Sequence, residues 1–163
     1  MPLALYPGTF DPITHGHIDI AVRSSRIFTK VIAVVAENPN KSTLFSAEER
    51  LSMVKDALAE VPRQEVVRYD GLIVDCVKHY RATALIRGLR ALSDFDYEFQ
   101  MAFTNRNMDE RAETVFLTPS AEFIFLNSSM VKQIAKFGGD VSSFVPEVVR
   151  RQLVGKFGHE RRT

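Results

Sequence analysis

Val31-Ile32-Ala33-Val34-Val35-Ala36 is an unbroken apolar run, mostly β-branched. A strand with one wet face alternates apolar and polar residues. A run without alternation belongs to a strand covered on both faces, the usual state of strands in a parallel sheet between two layers of helices. The flanking sequence agrees. Leu3 to Tyr6 is a shorter apolar run that stops at Pro7-Gly8. Between the two runs, Gly16 to Phe28 carries Ile18, Ala21, Val22 and Ile27 at helical spacing. Strand, helix and buried strand in that order make a βαβ unit, whose crossover is right-handed.

The alternation continues to the end of the chain. Ser46-Ala47-Glu48-Glu49 reads as a capping box that opens a helix through Leu51, Val54 and Leu58. Val66 to Tyr69 is a strand, Leu72 to Tyr80 a helix, and Thr83 to Ile86 a strand ended by Arg87-Gly88. Asp94 to Met108 is helical, with Phe95, Phe99 and Phe103 spaced four apart, and Val115 to Leu117 is a fifth strand. Ser128 to Phe137 is a helix closed by Gly138-Gly139, and Pro146 suits the first turn of a last helix. The expected fold is α/β: one doubly wound, Rossmann-like domain over residues 1–163, with a five-stranded parallel sheet of order 3-2-1-4-5 and C-terminal helices. In that order the first and fourth strands are neighbours where the strand order reverses, and ligands bind beyond the carboxyl ends of the strands at that point. Two loops meet there, Pro7–His17 and Arg87–Ser93, and they are the chemically richest in the chain.

Composition excludes several classes. The 163 residues are 45% hydrophobic and 25% charged, as in ordinary globular proteins, and the net charge is +1. Bulk charge therefore predicts no nucleic-acid or membrane partner. The single cysteine, Cys76, forbids an intrachain disulfide, suits a reducing compartment and reads as buried filler. Leu3 to Tyr6 opens a strand with no basic region before it, and no apolar run is long enough to span a bilayer, so a cytoplasmic location is expected. The basic positions Arg150, Arg151, Lys156, Arg161 and Arg162 read as a solvated helix face and, from about residue 157, a frayed tail.

The first loop reads Gly8-Thr9-Phe10-Asp11-Pro12-Ile13-Thr14-His15-Gly16-His17. Gly8 permits a sharp turn and close approach to a ligand. Gly16 and His17 fall at a helix start, where free N–H groups and the dipole favour anions and disfavour an imidazolium. A neutral His17 would offer one hydrogen bond to a phosphate oxygen; the blander use of the same residues is Thr14 as a helix cap beside a surface histidine. In the second loop, Arg87-Gly88-Leu89-Arg90 places two forked phosphate donors around a residue that admits close backbone approach. Lys41 stands on the loop after the second strand. Asn127-Ser128-Ser129 opens a helix with side chains and N–H groups that can cap it or hold phosphate oxygens.

The run Tyr6-Pro7-Gly8-Thr9-Phe10-Asp11-Pro12-Ile13-Thr14-His15-Gly16-His17 resembles the signature of phosphopantetheine adenylyltransferases, members of the nucleotidyltransferase superfamily with a Thr/His-x-Gly-His motif. Thr14 and His17 take the first and last motif positions and His15 the variable one. The likeness extends to about Val148. It implies transfer of AMP from ATP to 4'-phosphopantetheine, giving dephospho-coenzyme A and pyrophosphate, with Mg²⁺ accompanying ATP. It implies that His17, Lys41 and Arg90 act on the transferring phosphate. Thr9, Lys41, Leu72, Ile73 and Arg87 would bind phosphopantetheine. Thr9, Phe10, His17, Gly88, Leu89, Arg90, Glu98, Phe123, Ile124, Phe125, Leu126, Asn127, Ser128 and Ser129 would bind ATP. Asn127 departs from the family's usual serine, though it remains a good helix cap. A homohexamer and feedback by coenzyme A are further implications. From the residues alone, Leu72 and Ile73 equally fit a buried helix face, Glu98 a solvated one, and Phe95, Phe99 and Phe103 either core or subunit interface.

Competing classes stay open at this level. A sibling nucleotidyltransferase would use another phosphorylated acceptor, and a regulatory module would bind ATP without releasing pyrophosphate. A dinucleotide oxidoreductase is disfavoured because no Gly-x-Gly-x-x-Gly follows the first strand, and a P-loop kinase because its Gly-rich Lys-Ser/Thr motif is missing. No base–nucleophile pair is identifiable, and the reaction needs none. The attacking phosphate monoester has a second pKa of ~6 and is largely dianionic at neutral pH.

Overall fold

The computed structural model describes residues 2–90 and 92–158. Five strands and six helices alternate: β1 (Leu3–Gly8), α1 (His15–Ile27), β2 (Lys30–Ala36), α2 (Ala47–Leu58), β3 (Gln64–Tyr69), α3 (Ile73–Tyr80), β4 (Ala84–Gly88), α4 (Leu92–Met108), β5 (Thr114–Leu117), α5 (Ser128–Lys136) and α6 (Glu147–Phe157). All strand pairings are parallel and the order is β3-β2-β1-β4-β5, as the alternation predicts.

The unbroken run in β2 is explained by its two faces. Val31, Ala33 and Val35 join Ala4, Tyr6 and Ile86 in the larger core, where α1, α2, α5 and α6 pack. Ile32 and Val34 join Leu5, Leu85, Val74 and Val77 under α3. Cys76 is buried in this second layer, and burial pushes its thiol up to about 11.

Two differences from the sequence expectation bear on the site, and one of the two uses open to the α4 phenylalanines is excluded. β1 and β4 run on through Pro7-Gly8 and Arg87-Gly88, so the expected loop residues Gly8 and Arg87 are strand ends held by sheet pairing. A 3-10 turn at Ala121–Phe123, which no periodicity announces, leads into α5. Phe95, Phe99 and Phe103 are not core. They lie 41–55% exposed on α4 with ring centroids 5.3 and 4.8 Å apart along the row. Lys156 also departs from a purely solvated role: it pairs with Glu49 at 2.9 Å and lies over the Phe45 ring, fastening α6 to α2. Arg150 and Arg151 both pair with Glu147, while Arg161 and Arg162 lie outside the described residues. Among the described residues, no helix is long and apolar enough to cross a membrane.

Candidate active site

A cavity of about 520 Å³ opens at the carboxyl ends of β1 and β4, where the strand order reverses. It is walled by the β1–α1 turn, the end of β4, the Lys41–Thr43 segment and the start of α5. Of the residues singled out in the sequence, it gathers Thr9, Phe10, His17, Lys41, Arg87, Gly88, Arg90, Glu98, Phe123, Leu126, Asn127, Ser128 and Ser129. It does not gather Leu72, Ile73, Leu89, Ile124 or Phe125. Leu72 is 59% exposed beside the start of α3, and Ile73 packs on the second core. The main-chain N–H of Leu89 is bonded to Leu117. Ile124 and Phe125, which follow the 3-10 turn, are exposed.

His17 has two tasks. Thr14 is the N-cap of α1 and His17 its third residue, and together they close a capping box. The Thr14 N–H donates to His17 Nδ1 at 3.0 Å, and the His17 N–H donates to Thr14 Oγ1 at 3.4 Å. A ring nitrogen that accepts carries no proton. The neutral tautomer is therefore fixed with its hydrogen on Nε2, ready to donate. The ring is held edge-on against Phe10, 5.2 Å between centroids. Its pKa is lowered to about 4, first by burial and then by the Arg90 and Arg87 guanidiniums. The sequence suggested the helix dipole as the cause; the dominant cause is loss of water around the ring.

Arg87 is forked onto Glu98, Nε at 2.8 Å and Nη2 at 2.6 Å, and its Nη1 donates to the Pro7 carbonyl at 2.9 Å. Glu98 is thus buried and paired rather than solvated. Arg90 donates to Leu126 O at 2.9 Å, and its Nε stands 3.4 Å from Asp94. Lys41 is exposed and, among the described residues, its side chain has neither a hydrogen bond nor an ion pair. Of the described cations that line the cavity, Lys41, Arg87, Arg90 and Lys132, it is the one without a partner.

Asn127 caps α5 through its side chain, accepting from the Met130 N–H at 2.8 Å. The departure from serine is compatible with the helix start it has to make. Ser128 Oγ donates to Pro12 O at 2.7 Å, tying α5 to the β1–α1 turn. Phe10 holds a left-handed backbone, φ 50, at a cost of roughly 1–2 kcal/mol, and its ring lies under Gly8. A Cβ on Gly8 would come within 2.9 Å of that ring, so any larger residue there has to displace it.

Sequence reasoning passed over Asp11, Lys132 and Arg50. Asp11 is buried and accepts from the Leu44 and Phe45 N–H groups, each at 2.9 Å, and from Lys132 Nζ at 2.7 Å. It locks the β1–α1 turn, the segment before α2, and α5 together. Lys132 follows Ser128 by four residues and so shares its helix face, a spacing that would have found it. Arg50 interrupts the apolar stripe of Met53, Val54 and Leu58 on α2, a visible signal for a buried cation.

The donors thus come from separate segments to line one cavity at a doubly wound switch point, with a neutral histidine at a helix start and, among the described residues, no base–nucleophile pair. That is the arrangement of a nucleotidyltransferase, and residues 5–134 match the family model described as cytidylyltransferase-like. Relatives named phosphopantetheine adenylyltransferase cover nearly the whole chain. The one from Methylococcus capsulatus is 54% identical over 94% of this chain and 95% of its own. Those from Thiobacillus denitrificans and Caldanaerobacter subterraneus are 50% and 48% identical, each over 96% of this chain and 98% of their own. The chain belongs to the phosphopantetheine adenylyltransferase family.

Proposed function

We propose that this single catalytic domain joins the AMP moiety of ATP to the phosphate of 4'-phosphopantetheine. The observation that carries the proposal is the convergence of His17, Lys41, Arg87, Arg90, Ser128 and Ser129 on one cavity at the β1/β4 switch point. A phosphate oxygen of the acceptor attacks the α-phosphorus of ATP. The bond to the bridging oxygen of the β-phosphate breaks, and pyrophosphate leaves with the electron pair. The acceptor arrives as a dianion, so no protein group has to remove a proton. The barrier lies in bringing two polyanions together, and it is lowered by positioning and preorganised charge.

The residues divide accordingly. Thr9, Lys41 and Arg87 hold the attacking phosphate. The neutral Nε2–H of His17, with Lys41 and Arg90, stabilises charge growing on the α-phosphate. The Ser129 hydroxyl and the free main-chain N–H groups at the start of α5 hold the remaining phosphates while the Ser128 hydroxyl stays on Pro12 O, and Phe10, Gly88, Phe123 and Leu126 border the nucleotide. Arg87 keeps one N–H on each of Nη1 and Nη2 beyond its bonds to Glu98 and Pro7. It can therefore bind phosphate without leaving its anchor. Arg90 exchanges its long contact with Asp94 for phosphate.

Among the described residues, no three His, Cys, Asp or Glu side chains cluster as metal ligands. The cavity carboxylates Asp11 and Glu98 are taken by Lys132 and Arg87. The site fits a Mg²⁺ that is carried by the ATP phosphates and water and supplies charge neutralisation. The exposed row Phe95, Phe99 and Phe103 suits burial against further copies of the chain in a homohexamer, and coenzyme A, which shares both halves of the product, suits the same cavity as a feedback ligand. The reaction belongs in the cytoplasm.

A panel of acceptors tests the reading. With ATP and Mg²⁺, pyrophosphate should appear with 4'-phosphopantetheine and not with nicotinamide mononucleotide or a phosphoalcohol. ATP binding without release on any acceptor would favour a regulatory module instead.

A further inference from the structure

Arg50 is the most deeply buried charge among the described residues, 2% exposed, and it stands behind the cavity wall, bonded to the cavity-lining Thr9 without lining the cavity itself. Its guanidinium makes three hydrogen bonds, all to main-chain carbonyls. Nη1 donates to Thr9 O at 2.7 Å and to Ala36 O at 3.1 Å, and Nε donates to Phe45 O at 3.3 Å. Thr9 follows β1, Ala36 ends β2, and Phe45 precedes the N-cap of α2. The nearest carboxylate oxygen, Glu37 Oε1, is 3.8 Å from Nη2.

Stability alone is a poor reason for such a residue. Burying a charge is costly, and an apolar side chain of similar volume often does as well. What the fork uniquely does is fasten the two segments that carry Thr9 and Lys41 to one rigid plane. Beyond Ala36, the path to Lys41 is pinned by the Glu37 N–H on Tyr69 O and by a local turn, with the Lys41 N–H on Asn38 O at 3.0 Å and the Asn40 N–H on Asn38 Oδ1 at 3.0 Å. The nucleotide side of the cavity is anchored elsewhere, through Ser128 to Pro12 and Arg90 to Leu126.

We propose that Arg50 is a positioning residue, setting Thr9 and Lys41 in register for the attacking phosphate and for transfer at the α-phosphorus, while ground-state binding of ATP is held by groups that Arg50 does not touch. The proposal rests on the acceptor roles given to Thr9 and Lys41 above.

The test compares the wild-type chain with Arg50→Met and Arg50→Lys. Pyrophosphate release is measured with each substrate varied, ATP affinity by calorimetry, and folding by thermal unfolding. Arg50→Met should remain folded, keep its ATP Kd within about threefold, lose about tenfold or more in kcat, and show a raised KM for 4'-phosphopantetheine, since small misplacements of reacting groups cost this much. Arg50→Lys should recover part of the kcat, because an ammonium can still reach Thr9 O or Ala36 O. A folded Arg50→Met with unchanged kcat and acceptor KM would overturn the proposal. So would ATP affinity falling in step with the acceptor KM, or both variants failing to fold, since each marks a residue of the scaffold only. Absence of release by the wild-type chain would instead overturn the functional reading beneath it.

Discussion

Replacing His17 should separate its two tasks. His17→Ala removes the Nε2–H donor and also the Nδ1 that accepts from the Thr14 N–H. Loss of one preorganised donor to a developing oxyanion costs about 10²–10³ in kcat, or about 2.7–4 kcal/mol of barrier. Opening the capping box costs about 1 kcal/mol of stability, which for a domain of this size lowers Tm by roughly 2–4 °C. His17→Asn offers a control, because its Oδ1 lies as many bonds from Cα as Nδ1 and can still accept from the Thr14 N–H, while its short amide does not reach the Nε2 site. Both variants should therefore lose turnover to the same extent, and only the alanine variant should lose stability. Steady-state pyrophosphate release and differential scanning calorimetry read the two effects. Turnover within about threefold of wild type in His17→Asn would refute the donor role, since a preorganised oxyanion contact is worth far more.

Four further outcomes follow from particular groups and contacts. Imidazole resonances followed by NMR should show His17 neutral down to about pH 4, and a midpoint near the ordinary value would contradict the burial argument. Because the unfolded chain protonates this histidine at ~6.5 and the folded chain does not until about 4, the unfolded state binds more protons in that window; His17 thus makes stability fall as pH falls through it, and His17→Asn should abolish that part of the slope in denaturant titrations. Gly8→Ala drives a Cβ into the Phe10 ring, so it should cost about 1–3 kcal/mol in denaturant titration and reduce turnover by displacing the ring that supports His17. Phe99→Glu should shift the chain to lower mass in sedimentation while leaving its far-UV circular dichroism intact; an unchanged mass would remove α4 from the assembly interface.

The order of the sheet was legible because strand and helix periods alternate cleanly, and the place of the cavity followed from the strand order. Motifs in the β1–α1 turn and at the end of β4 pointed to half of the lining residues. What the sequence concealed was pairing. The arginine-rich segment suggests a strongly positive cradle. In the folded chain, Glu98 and Asp11 return from distant elements to neutralise Arg87 and Lys132, which leaves Lys41 as the freely available cation. Such pairings join residues 11 and 121 positions apart and have no local signature. Arg50 was hidden for a different reason: its partners are carbonyl groups, which every residue possesses. Leu72, Ile73 and Phe125 show the opposite limit, since their apolar character does not decide whether they face this cavity, the core or another copy of the chain.

The claim on which the account turns is that the acceptor's own phosphate attacks the α-phosphorus of ATP. It is tested most directly by supplying 4'-phosphopantetheine with a heavy-oxygen label throughout its phosphate and following the label by mass spectrometry. All of it should remain in dephospho-coenzyme A, with unlabelled pyrophosphate formed in equal amount. Label in the pyrophosphate, or product formed without pyrophosphate, would contradict the account.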